Sequence, residues 1–343
     1  MVISGDVKML TKVPLYLAPM SGVTDLPFRL LARECGADFT ITEFTSSAAI
    51  SRDVADSWVR LESDDREKPF IPQIFGSEKD EMVKTVQLLQ GKADIIDLNF
   101  GCPATKVTRT CAGAALMGIP DDLVEMAEAC VNASEVPISA KLRLGTGKGA
   151  NNVVEICQRL EGVGISQLCV HGRTLKQGYS GEANWQDIAE VVRNVSVPVI
   201  ANGDIINARN AAKCLEITGA AGLMIGRGAI GRPMIFNQIK QDLDWIESPP
   251  PWQKDISSNI WDCAEQIERD FLVRSWAWDR YIELCKETVG FQAKWLMRHA
   301  VSFTKGLPGA REARKAMMSD RNPEALAASV HKYLHNEYKS LLK

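Results

Sequence analysis

The sequence lacks the features that would place the protein in a membrane or in an oxidising compartment. Its 343 residues contain no run of eighteen or more apolar residues, so we expect no membrane-spanning helix. Residues 1–12 lack the continuous apolar segment of a secretory signal peptide. The nine cysteines are scattered without a C-x-x-C pair, which argues against a disulfide framework and against a cysteine metal site. We therefore predict a cytoplasmic protein with no membrane association, no metal and no implied protein partner.

The chain also carries little net charge, but that charge is unevenly distributed. A formal net charge of −3 argues against a generic nucleic-acid binder. Residues 286–343 nevertheless contain eleven Lys and Arg against five Asp and Glu, a net of +6 that leaves −9 for residues 1–285. Three of the four histidines, His299, His331 and His335, lie in the same basic tail. Such a basic tail either binds an anionic partner or forms a solvated helical face, and charge alone favours neither interpretation.

Short apolar runs alternate with helix-like segments over the first 240 residues. Near-continuous apolar strands that alternate with helices predict a parallel sheet buried on both faces. Eight such units over roughly 250 residues match a (β/α)8 TIM barrel. A doubly wound open sheet is the alternative, although no Gly-x-Gly-x-x-Gly follows the first strand. The predicted strands are 14–18, 39–42, 70–75, 94–98, 137–142, 167–170, 198–201 and 222–225, and the predicted helices include 26–35, 78–90, 123–133, 153–161, 185–192 and 207–218.

A proline-rich segment, 248–251, ends this alternation and is typical of a stiff linker. The sequence beyond it has helical patterns and no strand-like alternation, which indicates a small helical domain. We therefore predict a barrel domain at 1–247 and a helical domain at 252–343. The predicted tail helices are 255–273, 276–288, 292–304, 311–318 and 323–339.

Polar residues close almost every predicted strand. A barrel of this kind carries its active site at the carboxyl ends of the strands, and a purely structural barrel would not need polar groups at all eight ends. Asn202-Gly203-Asp204 and Gly226-Arg227-Gly228 follow strands seven and eight, where such barrels bind phosphate. Glycine allows backbone N–H groups to approach a phosphate, and Arg227 would add charge-assisted hydrogen bonds. A tight turn that requires glycine would explain either motif by itself, but it explains the presence of both motifs less well. The other strand-end residues are Pro19, Met20, Ser21, Glu43, Gln73, Asn99, Cys102, Lys141, Arg143, His171 and Arg173.

Three of these residues are unusual in buried strands. Lys141 lies in an otherwise apolar run, where an unpaired charge is costly, so it requires a partner such as a flavin or a phosphate. Gln73 lies between Pro72 and Ile74, where a neutral amide would suit the edge of a heterocycle. A lone histidine is more often structural, but His171 stands at a strand end and precedes Gly172-Arg173-Thr174, which favours a functional role.

Asn99-Phe100-Gly101-Cys102-Pro103 presents a thiol in a loop framed by glycine and proline, directly after a predicted buried strand. A cysteine held in this way is a proton donor, a nucleophile or a packed core residue. A second cysteine, Cys111, follows nine residues later, and we expect it to pack near residues 113–115.

The motifs together resemble the tRNA-dihydrouridine synthases. Six motifs occur in the order of that family between residues 18 and 229, and the tail from Lys294 to Arg314, which includes Arg298 and His299, looks most like the bacterial B-type subgroup. The matching motifs are Ala18-Pro19-Met20-Ser21-Gly22-Val23-Thr24-Asp25, Asn99-Phe100-Gly101-Cys102-Pro103, Lys141-Leu142-Arg143, His171-Gly172-Arg173-Thr174, Asn202-Gly203-Asp204-Ile205 and Gly226-Arg227-Gly228-Ala229.

The resemblance implies an FMN-dependent reductase that converts uridine in tRNA to 5,6-dihydrouridine with NADPH as electron source. It implies that Cys102 is the catalytic acid, which suits a thiol because its ordinary pKa of about 8.5 keeps it protonated at neutral pH. It implies that the basic tail binds tRNA. The implied cofactor-binding residues are Pro19, Met20, Ser21, Gln73, Lys141, His171, Asn202, Gly203, Asp204, Gly226 and Arg227, and the implied substrate-binding residues are Asn99, Arg143, Arg173 and Arg298.

The sequence leaves three alternative functions. One is an FMN barrel that acts on a free pyrimidine, such as a dihydroorotate or dihydropyrimidine dehydrogenase, but such an enzyme has no need of the helical tail. Another is a non-catalytic tRNA-binding protein, which would leave Cys102 and the flavin loops without a purpose. The third is a flavin-free, phosphate-binding isomerase barrel, which would not be yellow.

Overall fold

The computed structural model describes residues 11–149, 151–246, 248–256, 261, 264–291, 293–317 and 322–337. Its sheet consists of nine strands that pair in parallel in the order β2-β1-β9-β8-β7-β6-β5-β4-β3. The strands are β1 Leu15–Leu17, β2 Phe39–Thr40, β3 Thr45–Ser46, β4 Gln73–Phe75, β5 Ile96–Phe100, β6 Ile138–Arg143, β7 Gln167–His171, β8 Val199–Asn202 and β9 Gly222–Ile225.

The sheet closes into a barrel through the second predicted strand, which is divided in two. β2 pairs with β1 and β3 pairs with β4, yet only residues 41–44 separate these two short strands. Within that link the N–H of Thr42 donates to the carbonyl oxygen of Ile71, at 3.1 Å. One stretch of chain therefore joins both ends of the sheet order, and the predicted (β/α)8 barrel is confirmed.

Helices cover the outside of the barrel, and polar side chains begin several of them. The Asp25 carboxylate accepts the N–H of Phe28 in the helix that begins at Leu26, and Asn184 and Asn207 cap the helices that begin at Trp185 and Ala208 in the same way. The helices of this part are α1 Leu26–Glu34, α2 Ser47–Ile50, α3 Ala55–Trp58, α4 Lys79–Leu89, α5 Thr105–Thr108, α6 Pro120–Ala133, α7 Val153–Gly162, α8 Trp185–Asn194, α9 Ala208–Thr218 and α10 Ile235–Asp242.

The tail is helical, as predicted, but its first part differs from the expected pattern. One continuous helix, α11 Gln266–Glu287, replaces the expected break between 273 and 276, because Ser275 is buried within it rather than in a turn. The remaining elements are α12 Ala293–Thr304, α13 Ala310–Met317, α14 Pro323–Lys332 and a π-helical turn, Tyr333–Glu337. The predicted helix ends at 292, 318 and 339 lie outside the described residues, as do 257–260 and 262–263.

The tail packs directly on the barrel. The buried Tyr281 hydroxyl donates to Asp25 at 2.8 Å, and Arg280 forms an ion pair with Glu34, so α11 lies along α1. A single apolar cluster extends from the outer layer of the barrel into the tail helices. Trp252, directly after the 248–251 segment, is buried and its ring lies 5.9 Å from that of Trp276 on α11. Among the described residues no helix is long and apolar enough to cross a membrane.

Candidate active site

The barrel interior contains a polar layer that follows from the two-residue period of the strands. Cys169 of β7 belongs to the apolar interior cluster with Tyr16, Ile200 and Met224, and the register pairs it with Lys141 of β6. Every second residue on these strands therefore faces the interior. The interior-facing polar residues are Asp97 and Asn99 on β5, Ser139, Lys141 and Arg143 on β6, Gln167 and His171 on β7, and Asn202 on β8.

A chain of hydrogen bonds crosses this layer and begins at Asp97, a residue that the sequence analysis missed. Its carboxylate accepts from Ser139 Oγ at 2.6 Å and from Gln73 Nε2 at 2.5 Å. Gln73 in turn accepts from Asn99 Nδ2 at 2.7 Å. Burial raises the pKa of Asp97, while both donated hydrogen bonds oppose that shift. An acidic residue in the middle of the otherwise apolar run 95–98 was the available sequence signal.

The same chain of hydrogen bonds ends at the thiol loop. Asn99 is within β5, not after it, and its Oδ1 accepts the N–H groups of Gly101 at 3.1 Å and Cys102 at 2.8 Å. Cys102 is 7% exposed, and this burial raises its thiol pKa, opposed by the Ala104 N–H and by Arg143. The thiol is therefore a protonated donor at neutral pH.

Cys111 is in a different environment. It is exposed and lies in a turn with φ of +53°, so the expectation that it packs near 113–115 was wrong. Gly113 instead packs against the catalytic candidate, because a Cβ at this position would lie 2.9 Å from the carbonyl oxygen of Cys102.

Lys141 has one acceptor in the described part of the chain, Asn202 Oδ1 at 3.1 Å. Asn202 is fixed by its own hydrogen bond to the carbonyl oxygen of Met224, at 2.7 Å. Burial lowers the pKa of Lys141, with neighbouring charges as smaller influences. Two N–H groups of the ammonium thus remain available for a ligand in the mouth of the barrel.

Two buried arginines brace the loops around the mouth. Arg143 donates to the carbonyl oxygens of Gly101 at 2.8 Å and of Thr174 at 3.0 Å, which joins the thiol loop to the loop after β7. Arg173 makes a two-point ion pair with Asp204, at 2.9 and 2.7 Å. Both guanidinium groups are 2% exposed, so their present contacts are structural.

His171 stands beside these cations at the end of β7. Burial, followed by the positive charges of Lys141 and the nearby arginines, lowers its pKa to about 2. The ring is therefore neutral at physiological pH. Arg173 Nη1 lies 3.5 Å from His171 Nε2, which places a donor opposite an unprotonated ring nitrogen.

The loops after β8 and β9 form an anion-receiving edge. In the described part of the chain no acceptor takes the backbone N–H groups of Gly203, Asp204, Gly226 or Arg227. Gly203 has φ of +122°, and a Cβ there would lie 2.7 Å from Ala183 Cβ. The Asp204 carboxylate is occupied by Arg173, Arg227 and the Ala183 N–H, so its backbone N–H is the group that remains for a ligand. Unpaired N–H groups beside a half-exposed arginine fit a phosphate.

The loop after β1 reaches both this edge and the tail. Met20 Sδ lies 3.7 Å from where a Gly226 Cβ would be, so Met20 adjoins the loop after β9. The exposed Ser21 offers its carbonyl oxygen to Arg298 Nη1 at 2.6 Å. Gly22 donates to the buried Glu43 at 2.6 Å, and burial raises the pKa of that carboxyl. Arg298 is thereby brought to the rim of the mouth through Ser21.

Tyr179 is a second residue that the sequence analysis missed. It is 56% exposed in the loop after β7, with the guanidinium of Arg227 4.9 Å and that of Arg143 5.5 Å from its ring centre. Its ring also lies 6.3 Å from that of His171. A glycine-rich loop without a periodic pattern gave no sequence signal for this position.

Fold and site together define a (β/α)8-barrel enzyme with a polar interior and with an anion-receiving edge after its last two strands. The chain belongs to the dihydrouridine synthase family, because the family model described as Dihydrouridine synthase (Dus) matches residues 16–336. This confirms both the resemblance and the prediction of a flavin-dependent oxidoreductase.

Individual relatives agree with this assignment. The tRNA-dihydrouridine synthase B of Salmonella typhimurium is 43% identical over 238 residues, which are 69% of this chain and 74% of the relative. A probable tRNA-dihydrouridine synthase of Rhizobium leguminosarum is 44% identical over 218 residues, 63% of this chain and 68% of the relative. The solved histamine dehydrogenase of Rhizobium sp. 4-9 is 13% identical with a TM-score of 0.51, over 67% of this chain and 46% of that one, and supports the fold alone.

Proposed function

We propose that the protein reduces uridine in tRNA to 5,6-dihydrouridine in the cytoplasm, with bound FMN and with NADPH as electron donor. The observation that carries this proposal is the buried, protonated thiol of Cys102, held by Asn99 on β5. In the strand order β5 lies three positions from β8, so the thiol loop and the anion-receiving edge would stand on opposite sides of the mouth. A proton donor and a phosphate site on opposite sides leave room for a flavin and a base between them.

The residues available for FMN fit its parts. The N–H groups of Gly203, Asp204, Gly226 and Arg227 would receive the phosphate, together with the Arg227 side chain. Gln73, Lys141 and Asn202 would meet the ring edge, while neutral His171 adds no charge beside it. Pro19, Met20 and Ser21 would line the ring from the loop after β1. When bound, the flavin supplies the hydride that reaches C6 of the uracil.

Cys102 completes the reduction at C5. The S–H bond breaks, a C–H bond forms at C5, and the electron pair stays on sulfur as a thiolate. The Ala104 N–H and the positive charges of Arg143, Lys106 and Lys141 stabilise that thiolate until a solvent proton restores the thiol. Hydride and proton together saturate the C5=C6 bond, and NADPH replaces the two electrons.

The proposed substrate contacts are made by hydrogen-bond donors that have no acceptor within the described part of the protein. Asn99 gives one amide N–H to Gln73, so its second N–H is available for a uracil carbonyl. Arg143 holds the thiol loop through Nε and Nη1, and its Nη2 group, which takes part in none of these hydrogen bonds, would be the donor for the substrate. Arg173 acts on the substrate indirectly, by fixing Asp204 and its loop. Arg298 acts at the rim, where it fixes Ser21 against the tail.

The helical tail is the proposed tRNA surface. Lys305, Arg311 and Lys315 are exposed cations on and between α12 and α13. They would contact phosphates, while the target base leaves its stack to enter the mouth of the barrel. A small-molecule pyrimidine dehydrogenase, the main alternative, gives these cations no role.

The test is an assay with the purified protein, NADPH and tRNA that lacks dihydrouridine, followed by quantification of dihydrouridine in the product. We expect a yellow protein that releases FMN on denaturation and oxidises NADPH in proportion to the dihydrouridine formed. Free uracil and orotate should not be reduced. A protein that cannot be reconstituted with FMN, or that prefers a free pyrimidine, would contradict the proposal.

A further inference from the structure

Two of the tail histidines form a cluster with an acidic residue far from the active site. His331 Nδ1 lies 2.8 Å from Asp279 Oδ1, and His335 Nε2 lies 2.9 Å from Asp279 Oδ2. Asp279 belongs to α11, whereas the two histidines belong to α14 and the π-helical turn that continues it. Neither the proposed reduction of uridine nor the proposed tRNA surface uses this cluster.

We infer that Asp279, His331 and His335 form a binding site for a divalent transition-metal ion, with Zn²⁺ as the expected occupant. The three donor atoms lie within 4.8 Å of one another. Tetrahedral Zn²⁺ with bonds of about 2.0–2.1 Å separates its donors by about 3.4 Å. The two N···O distances therefore lengthen by about 0.5 Å to admit the ion, and the three donor atoms, now within 4.8 Å of one another, converge to that spacing.

The chemistry of the donor set favours Zn²⁺ over the common alkaline-earth ions. Imidazole nitrogen is a strong ligand for zinc, copper and nickel, whereas Mg²⁺ and Ca²⁺ prefer a shell of oxygen atoms. Two imidazoles and one carboxylate leave a fourth position for water on the solvent side, because all three residues are partly or fully exposed.

The backbone prepares the cluster. Leu326, Val330 and Leu334 are buried against the rest of the tail, so His331 and His335, four residues apart, lie along the rim of that interface. Trp278, adjacent to Asp279, donates to the carbonyl oxygen of Ala327 at 3.2 Å and fixes α11 against α14. The π-helical turn at Tyr333–Glu337 shifts the helix register where His335 projects.

The two rings also stand close to each other. Their centroids are 4.0 Å apart with a 29° angle between the planes. Both rings also approach the same carboxylate, so a single ion between the rings and Asp279 would be within reach of all three residues.

A bound ion would join α11 to α14 and so stabilise the tail. This role is independent of the proposed activity, since none of the three residues lies in the barrel mouth. The expectation of no metal site considered cysteine spacing alone and stays a prediction. The proposed ligands come from two helices, and only the packing of α11 against α14 brings Asp279 to the two histidines.

The test uses the full-length protein without a polyhistidine tag, stripped of metal by EDTA and titrated with Zn²⁺ by calorimetry. We expect one equivalent to bind below about 10 µM free Zn²⁺, and about 100-fold or greater loss of affinity in both His331→Gln and His335→Gln. The matched control is Lys332→Gln, an exposed neighbour that should bind Zn²⁺ as the wild type does.

Two further measurements separate this site from the cysteines and from a structural hydrogen-bond cluster. Co²⁺ bound here should show four- or five-coordinate visible bands without the thiolate charge-transfer bands of a cysteine site. Hydrogen exchange in 323–335 should slow on Zn²⁺ addition in the wild type but not in His335→Gln. Absence of saturable binding, or binding that survives both histidine substitutions, would overturn the assignment.

Discussion

The side-chain oxygen of Asn99 holds the backbone N–H of Cys102 at 2.8 Å, and this contact determines where the thiol lies. Asn99 is fixed from behind by Gln73, and Gln73 is fixed by the buried carboxylate of Asp97. The thiol position therefore depends on three side chains of the barrel interior as well as on its own loop. Several expected outcomes depend on this arrangement.

Replacement of Cys102 by Ala should lower the rate of dihydrouridine formation by about 10²- to 10⁴-fold, the usual contribution of a general acid. FMN content and reduction of the flavin by NADPH should not change, because the thiol takes no part in either. Cys111→Ala is the matched control, since that thiol is exposed and outside the mouth. Equal rates for the two variants in a single-turnover assay with tRNA would exclude Cys102 as the acid.

Asp97→Asn should destabilise the protein by about 1–3 kcal/mol. The new amide N–H groups would point at a hydrogen-bond donor of Gln73 or Ser139, so that donor loses its acceptor. The rate with tRNA should fall as well, since Asn99 loses its support. Ser139→Ala removes only one of the two hydrogen bonds and should cost about 1 kcal/mol. Urea unfolding and single-turnover rates measure both effects, and an Asp97→Asn variant as active as Ser139→Ala would show that the chain does not position Asn99.

Gly203→Ala should weaken FMN binding strongly, because the new Cβ would lie 2.7 Å from Ala183 in a backbone conformation that L-residues rarely adopt. Gly219→Ala provides a control for backbone strain alone. Gly219 also has positive φ, at the end of α9, but a Cβ there would lie 4.0 Å from its nearest neighbour, Val192 Cγ1. Fluorescence titration with FMN compares the two, and similar affinities would remove the loop after β8 from the cofactor site.

Charge reversal of the proposed tRNA surface, as Arg311→Glu with Lys315→Glu, should weaken tRNA binding and make its salt dependence less steep. Flavin reduction by NADPH should remain unchanged. Lys213→Glu on α9 is an exposed control on the barrel. Substitution is preferable to deletion of the tail, because loss of Tyr281 and its helix would expose apolar surface of α1. Binding at two salt concentrations gives the result, and equal losses in all variants would contradict a specific tail surface.

His171 should make stability depend on pH in the acidic range. Its pKa is lowered to about 2 in the folded protein, whereas the pKa of the ring in the unfolded chain is about 6.5. The unfolded state therefore binds the additional proton first, and the stabilising contribution is complete above pH 6.5 and decreases as the pH falls toward 2. Relative to His171→Asn, the wild type should lose about 1.4 kcal/mol per pH unit below about pH 6. Urea unfolding at several pH values gives the free energy of unfolding of both proteins. If that free energy changes with pH equally in the two proteins, the ring is not held neutral.

The sequence predicted the barrel well, because eight buried strands alternate with amphipathic helices. This pattern depends on residues that are close to one another in the sequence. It placed Asn99 just beyond its strand and divided α11, since the ends of an element depend on contacts with the rest of the molecule. Asp97 and Tyr179 were missed for the same reason. One is buried only because β4 and β6 supply donors to its carboxylate, and the other belongs to a loop whose position depends on Arg143 and Arg227.

The sequence by itself determined the periodic strands, the glycines after the last two strands and the thiol loop after β5. These are local properties of chain direction, side-chain alternation and backbone freedom. Only the tertiary structure decided that Asp97 supports Cys102 through Gln73 and Asn99, that Arg298 meets Ser21, and that Asp279 faces two histidines. Apart from the local contact of Asn99 with Cys102, each of these contacts joins residues distant in sequence, and its distance is set by how helices and strands pack.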